Sequence, residues 1–259
     1  MPPAGAVVTA GSGRQVVLLH ATGADKGSWQ ALTALLAGRA RCTAFDRRGS
    51  ITWPVTDGER SPDVGAHADD AAAVITALGV GPVAVCGASF GAVVGLELVK
   101  RWPGLVRGAV LFEPALSGSD DTPSVPDALA SQVERLAGGG DAAAAAEWFF
   151  RRLLGDAAWS RLPHAAREEM RARGRAIAHD LRANQAYRVD YASLGRVSTP
   201  VLLLKGGQSR LVFEGALRAL HAALPHARRA VLPSAAHVPS GQGWREFADA
   251  AAAFLDEVC

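Results

Sequence analysis

Six short runs of successive apolar residues punctuate this chain, and they constrain its fold more than any other feature. They are Val16–Leu19, Cys42–Phe45, Val83–Cys86, Ala109–Phe112, Val201–Leu204 and Ala230–Leu232. A strand with one face in water alternates apolar and polar residues. These mostly do not, so they read as strands buried on both faces of a mainly parallel sheet. Parallel neighbours need long crossovers, and helix-like segments near 28–38, 65–79, 90–102, 211–224 and 243–257 supply them. Val7-Val8-Thr9, followed by Gly11-Ser12-Gly13, reads as an N-terminal strand and turn. Strand and helix alternating in this way predict a doubly wound, mostly parallel α/β fold. With 259 residues, 49% of them hydrophobic, the chain can bury a large core without staples.

One interval breaks the rhythm. Between Pro114 and Pro200 there is no comparable strand candidate. A polar, proline-bearing stretch (Ser117 to Pro126) precedes helix-like segments near 127–137, 141–154 and 164–183. The pattern predicts a core domain in two parts, 1–116 and 193–259, with a helical lid inserted at 117–192. The inner face of the lid carries Trp148, Phe149, Leu153, Trp159 and Tyr187. Trp148, Trp159 and Tyr187, together with Trp53, are the candidate substrate-pocket residues. The plainer alternative is that aromatics at helical spacing pack the lid on the body.

Charge and cysteine usage exclude several classes. Lys+Arg number 27 and Asp+Glu 25, only Lys26, Lys100 and Lys205 are lysines, and no basic run of five occurs. A nucleic-acid or anionic-membrane surface has no footprint here. Cys42, Cys86 and Cys259 are odd in number and lack CxxC spacing. Two of them sit in apolar runs, where a thiol acts as a small hydrophobe. That predicts neither a disulfide framework nor a zinc site, and a reducing compartment. Met1 to Gly5 has no basic or apolar leader character, and no run of 18 apolar residues occurs. The expectation is a cytoplasmic protein with a small-molecule substrate; the oligomeric state is left open.

The chemistry points to Gly87-Ala88-Ser89-Phe90-Gly91, a G-x-S-x-G directly after Val83–Cys86 and directly before a helix pattern. That strand–turn–helix context makes it a nucleophile elbow: the glycines permit the tight turn, and Ser89 projects above the sheet edge at a helix N-terminus. The alternative is a glycine-rich turn with a passive serine. A serine needs a base. Of the seven histidines, only His237 lies just past the last strand, in a loop able to reach the same sheet edge. Acyl transfer also needs N–H donors for an oxyanion. The turn His20-Ala21-Thr22-Gly23 after the first strong strand offers Thr22, and the elbow offers Phe90; His20 reads as a loop brace.

These segments, with Trp29, Asp46-Arg47-Arg48-Gly49 and Pro200–Leu204, make the chain resemble the α/β-hydrolase superfamily, close to small lid-bearing esterases and cofactor-free perhydrolases. The resemblance implies an eight-stranded sheet, a Ser-Asp/Glu-His triad and no cofactor or metal. Three departures stand out. His20-Ala21 replaces the usual His-Gly. Ser50-Ile51-Thr52-Trp53-Pro54 follows Asp-Arg-Arg-Gly. The spot of the usual acid, past Val201–Leu204, reads Gly206-Gly207-Gln208-Ser209, with no Asp between Tyr191 and Asp249. Glu113 is the replacement candidate. It ends the preceding strand, is followed by Pro114, and keeps the chain order Ser89, acid, His237, an arrangement similar to that of pancreatic-lipase-like enzymes. Glu214, or no acid at all, are the alternatives.

The expected activity is a serine hydrolase acting on an ester, lactone or thioester of an apolar small molecule. A carbon–carbon hydrolase or cyclase on the same residues, or a ligand-binding protein without turnover, are the other readings. Epoxide hydrolase and dehalogenase chemistry is disfavoured, because those relatives carry Asp where this chain has Ser89.

Overall fold

A computed structural model describes residues 1–56, 58–116, 127–209 and 212–259. Seven strands form one sheet: β1 (Val7–Gly11), β2 (Arg14–Leu19), β3 (Ala40–Phe45), β4 (Val83–Ala88), β5 (Val106–Phe112), β6 (Val201–Gly206) and β7 (Ala227–Leu232). Their order is β1-β3-β2-β4-β5-β6-β7. All neighbours are parallel except β1, which runs antiparallel to β3 with Val7 opposite Phe45. The eighth strand implied by the resemblance is absent among the described residues. Ala4–Ala6 fold as a 3₁₀ turn ahead of β1, which leaves β1 as the sheet edge.

The continuous apolar runs have the physical cause inferred from them. Successive strand residues point to opposite faces, and both faces are covered. Val17, Leu19, Val85 and Leu111 share a core with α2 (Val64–Leu78), α3 (Phe90–Arg101) and α9 (Val212–Ala223). Their neighbours Val16, Leu18, Cys86 and Val110 share another with α1 (Gln30–Leu36) and α10 (Gln242–Val258). Local chemistry sets the helix ends. Asp63 caps α2 by accepting from the Ala66 N–H at 2.8 Å, and Gly79 ends it at φ 66°.

Between β5 and β6 lie α4 (Asp127–Gly138), α5 (Ala142–Leu154), α6 (Asp156–Arg161), α7 (His164–Arg171) and α8 (Gly174–Ala186). Val133, Phe149, Phe150, Trp159, Ile177 and Leu181 give this helical segment a core of its own. The polar stretch Ser117 to Pro126 lies outside the described residues. Two details differ from expectation. Residues 156–161 form a helix that the sequence pattern did not show, and the helix expected over 164–183 is broken at Ala172-Arg173. The break has a packing cause. A β-carbon on Gly174 would lie 1.7 Å from the Ala142 carbonyl, so α8 starts where it can touch the start of α5.

Candidate active site

Four parallel strands, β4 to β7, end at one edge of the sheet, and the segments following them carry Ser89, Glu113, Ser209 and His237. Ser89 lies between β4 and α3 at φ 53°, ψ −118°. Its N–H donates to the Phe112 carbonyl at 2.9 Å, and its carbonyl accepts from Ala92 and Val93. The flanking glycines are a steric requirement. A β-carbon on Gly87 would lie 2.4 Å from the Gly91 carbonyl, and one on Gly91 would lie 2.0 Å from that of Leu19. The elbow is thus wedged against the end of β2.

Glu113 directly follows β5 and is fully buried, at φ 43°. Both carboxylate oxygens are engaged. Oε1 accepts from the Gly206 N–H at 2.9 Å, and Oε2 accepts from Nδ1 of His237 at 2.6 Å. With its proton on Nδ1, the imidazole keeps Nε2 as a free base. The ring is flanked by aromatics: Phe213 of α9 stacks on it at 4.3 Å between centroids, and Phe112 lies at 6.3 Å in a near-parallel orientation. Phe213 carries no signal in the sequence, because its contact with His237 exists only once α9 is packed. Glu214, the alternative acid, instead accepts from Arg229 at 2.9 Å. At the spot of the family's usual acid, the Ser209 hydroxyl is buried without a hydrogen-bond partner among the described residues.

The turn after β2 holds the other polar group of residues. Leu19 pairs with Gly87 in register, and Gly91 abuts the Leu19 and His20 carbonyls, so this turn and the elbow are neighbours. Thr22 lies in the turn and Phe90 is the first residue of α3. His20 is a buried brace: Nε2 accepts from the Arg47 N–H at 3.1 Å, which leaves the proton on Nδ1 to donate to the Ala21 carbonyl at 2.9 Å. Burial, aided by the Arg47 charge, pushes its pKa down to about 3, so it stays neutral. Arg47 forms a buried two-armed ion pair with Asp180 of α8, both contacts 2.7 Å, and its guanidinium lies 4.7 Å from the centre of the Phe90 ring. Asp46 accepts from Lys26 and Thr52; burial raises its carboxyl, but these bonds outweigh that and hold it below the usual range. His67 is fully buried against Phe90; neither ring nitrogen has a hydrogen-bond partner among the described residues, and Nε2 lies 4.0 Å from the Asp180 carboxylate. Burial holds its pKa well below the ordinary value. A pocket opens here, walled by His20, Asp25, Lys26, Arg47, Arg173 and Asp180 among others.

The four aromatic pocket candidates fall in two places. Trp53 and Tyr187 pack against the main core; Arg48 lies over the Trp53 ring, and the Tyr187 hydroxyl donates to Glu97 at 2.6 Å. Trp148 packs at the margin of the helical segment's core. Trp159 is 0% exposed and lies inside that core, stacked on Phe150. Its large apolar ring is worth more as packing than at a surface, which is the plainer of the two readings of this residue. Among the described residues no group of three or more His, Cys, Asp or Glu side chains is placed to hold a metal ion, and no helix is long and apolar enough to cross a membrane.

Comparison with known proteins agrees with this architecture. A hydrolase of Bacillus subtilis, YraK, is 32% identical over 106 residues, 41% of this chain and 39% of that protein. The chain spans less than two fifths of the length of the curated relatives it matches first. Solved structures match over nearly the whole length. An alpha/beta hydrolase from Sphaerobacter thermophilus superposes with a TM-score of 0.74 at 24% identity, covering 98% of this chain and 99% of that one. A thermophilic esterase from Thermogutta terrifontis gives 0.74 at 22% identity, covering 98% and 93%. At these identities the likeness speaks for the fold. The model of the Alpha/beta hydrolase family matches residues 16–250, and with that span of the sequence matched, the chain belongs to the alpha/beta hydrolase family.

Proposed function

We propose that this chain is a serine hydrolase that cleaves an ester, lactone or thioester bond of a small, largely apolar molecule. The observation that carries the reading is the 2.6 Å bond from His237 Nδ1 to a fully buried Glu113, at the same sheet edge as Ser89 on its strained elbow. Ser89 attacks the carbonyl carbon and passes its proton to Nε2 of His237. Glu113 fixes the tautomer and stabilises the imidazolium that forms. The N–H groups of Thr22 and Phe90 receive the oxyanion, helped by the N-terminus of α3. Collapse of the tetrahedral intermediate expels the alcohol or thiol, which takes the proton back from His237. Water then enters by the same route in reverse and releases the acid.

The helical segment between β5 and β6 serves as the lid. Phe149 and Phe150 seat that segment on the oxyanion turn: their rings lie 3.0 to 3.2 Å from where a β-carbon on Gly23 would be. A cytoplasmic location is supported by three free thiols, with burial raising those of Cys42 and Cys86 away from reactivity. The test is labelling with a fluorophosphonate and mass mapping of the adduct. It maps to Ser89, and Ser89→Ala loses both labelling and turnover of short aryl esters. Full esterase activity in that variant would overturn the assignment.

A further inference from the structure

The peptide that carries the Thr22 N–H is the one that carries the Ala21 carbonyl. In a planar trans peptide these two groups point in opposite directions, so whatever fixes the carbonyl aims the donor. The Ala21 carbonyl accepts from His20 Nδ1 at 2.9 Å, from the Ala24 N–H at 3.2 Å and, longer, from Arg47 Nη2 at 3.5 Å. Arg47 Nε also reaches the His20 carbonyl at 3.3 Å. The Arg47 fork is in turn held at both tips by Asp180, on α8. Two residues further along the turn, the Gly23 carbonyl accepts from Arg173 Nη1 at 2.9 Å, and the other arm of Arg173 is held by Asp25 at 2.6 Å. Arg173 is the residue at which the expected long helix breaks into α7 and α8.

Both outer anchors of the turn therefore come from the helical insertion. Asp180 reaches it through Arg47, and Arg173 reaches it directly. Gly23 itself is at φ 73° under Phe149 and Phe150, so the turn is gripped by polar bonds at its carbonyls and by rings at its bend. We infer that Arg173 and Asp180 are positioning residues for the oxyanion turn, and that the insertion helps to set the rate of the reaction as well as covering the site. The inference rests on the serine-hydrolase reading above. Its energetic basis is that a donor must be aimed at where charge develops, and loss of one such donor costs about 10²–10³ in turnover.

The experiment compares Arg173→Met and Asp180→Asn with the wild-type enzyme. Arg173 is only partly buried, so Arg173→Met leaves the core intact. Three quantities are read: kcat and KM for an aryl acetate, and affinity for an aryl boronic acid, which adds to Ser89 as a tetrahedral anion. Arg173→Met lowers kcat by about tenfold or more, weakens the boronate by a similar factor, and leaves KM within about twofold. Arg173→Lys, which keeps one donor, recovers part of both losses. Asp180→Asn shows the same pairing of kcat with boronate affinity. Arg182→Met, on α8 like Asp180, breaks an exposed pair with Glu134 of α4 and changes neither. A purely structural role would lower the unfolding midpoint and active fraction without coupling kcat to boronate affinity. Wild-type kcat and boronate affinity in both Arg173→Met and Asp180→Asn, or a change confined to KM, overturn the inference. A wild-type enzyme that a fluorophosphonate does not label at Ser89 overturns the serine-hydrolase reading itself, and the two failures are thereby told apart.

Discussion

Ser89 and Glu113 are the two non-glycine residues held at positive φ among the described residues, at 53° and 43°. They are linked through Phe112: the Ser89 N–H donates to the carbonyl of Phe112, the residue before Glu113. Each such conformation costs about 1–3 kcal/mol and persists only where the surroundings over-determine it. Ser89→Gly relieves that strain while removing the hydroxyl. Its unfolding free energy in urea should exceed that of Ser89→Ala, by about 1 kcal/mol, with turnover lost in both.

Glu113→Gln keeps the shape of the buried side chain but removes control of the imidazole tautomer. An amide can present its N–H to Nδ1 and leave the proton on the nitrogen that must accept from Ser89. Turnover should fall by about 10⁴ with the fold intact, whereas Glu214→Gln should do little. Steady-state kinetics beside a thermal melt check this. Ser209→Asp in the Glu113→Gln background restores an acid at the spot the family more often uses, and should return part of the activity.

Gly91→Ala should be severe. Its β-carbon would meet the Leu19 carbonyl at 2.0 Å, backbone against backbone, with no rotamer to relieve it. A loss of several kcal/mol, or failure to accumulate folded protein, is expected. Gly104→Ala, with open space around it, should leave the melt within about 0.5 kcal/mol of wild type.

Two buried neutral histidines set the acid limb of stability. His20 and His67 both have pKa values pushed down by burial, His20 to about 3. Below their unfolded value of about 6.5 the unfolded chain binds protons that the folded one refuses. Stability therefore falls as pH drops below about 6.5, by up to about 1.4 kcal/mol per pH unit for each, and for His20 the fall continues towards its folded value. His67→Leu should flatten this slope, and at pH 7 it should be neutral or stabilising, since it removes two buried ring nitrogens that make no hydrogen bond. A steeper slope in the variant would contradict the account.

The sheet was legible because every strand of its centre is apolar at successive positions, and the split of Val17 and Val16 into separate cores is the cause of that pattern. The contact of Glu113 with His237 was legible from a strand end, a proline and chain order. Phe213, the pairing of Arg47 with Asp180, and the helix break at Arg173 were not. Each depends on residues more than a hundred positions apart or on packing between faces, and neither propensity nor spacing encodes such meetings. Trp159 shows the converse difficulty: an aromatic on a helix face looks the same in sequence whether it faces a ligand or its own core.

Ser89 and Glu113 hang from adjacent strands locked in register, so their separation is as rigid as the sheet itself. His237 hangs from the loop between β7 and α10, clasped by Glu113 on one atom and by Phe213 on one face. On the serine-hydrolase reading, the proton shuttle is therefore the tethered part of an otherwise fixed frame. Heating should free the histidine before it disturbs the two residues it serves, and catalysis should fade ahead of unfolding by the motion of a single ring.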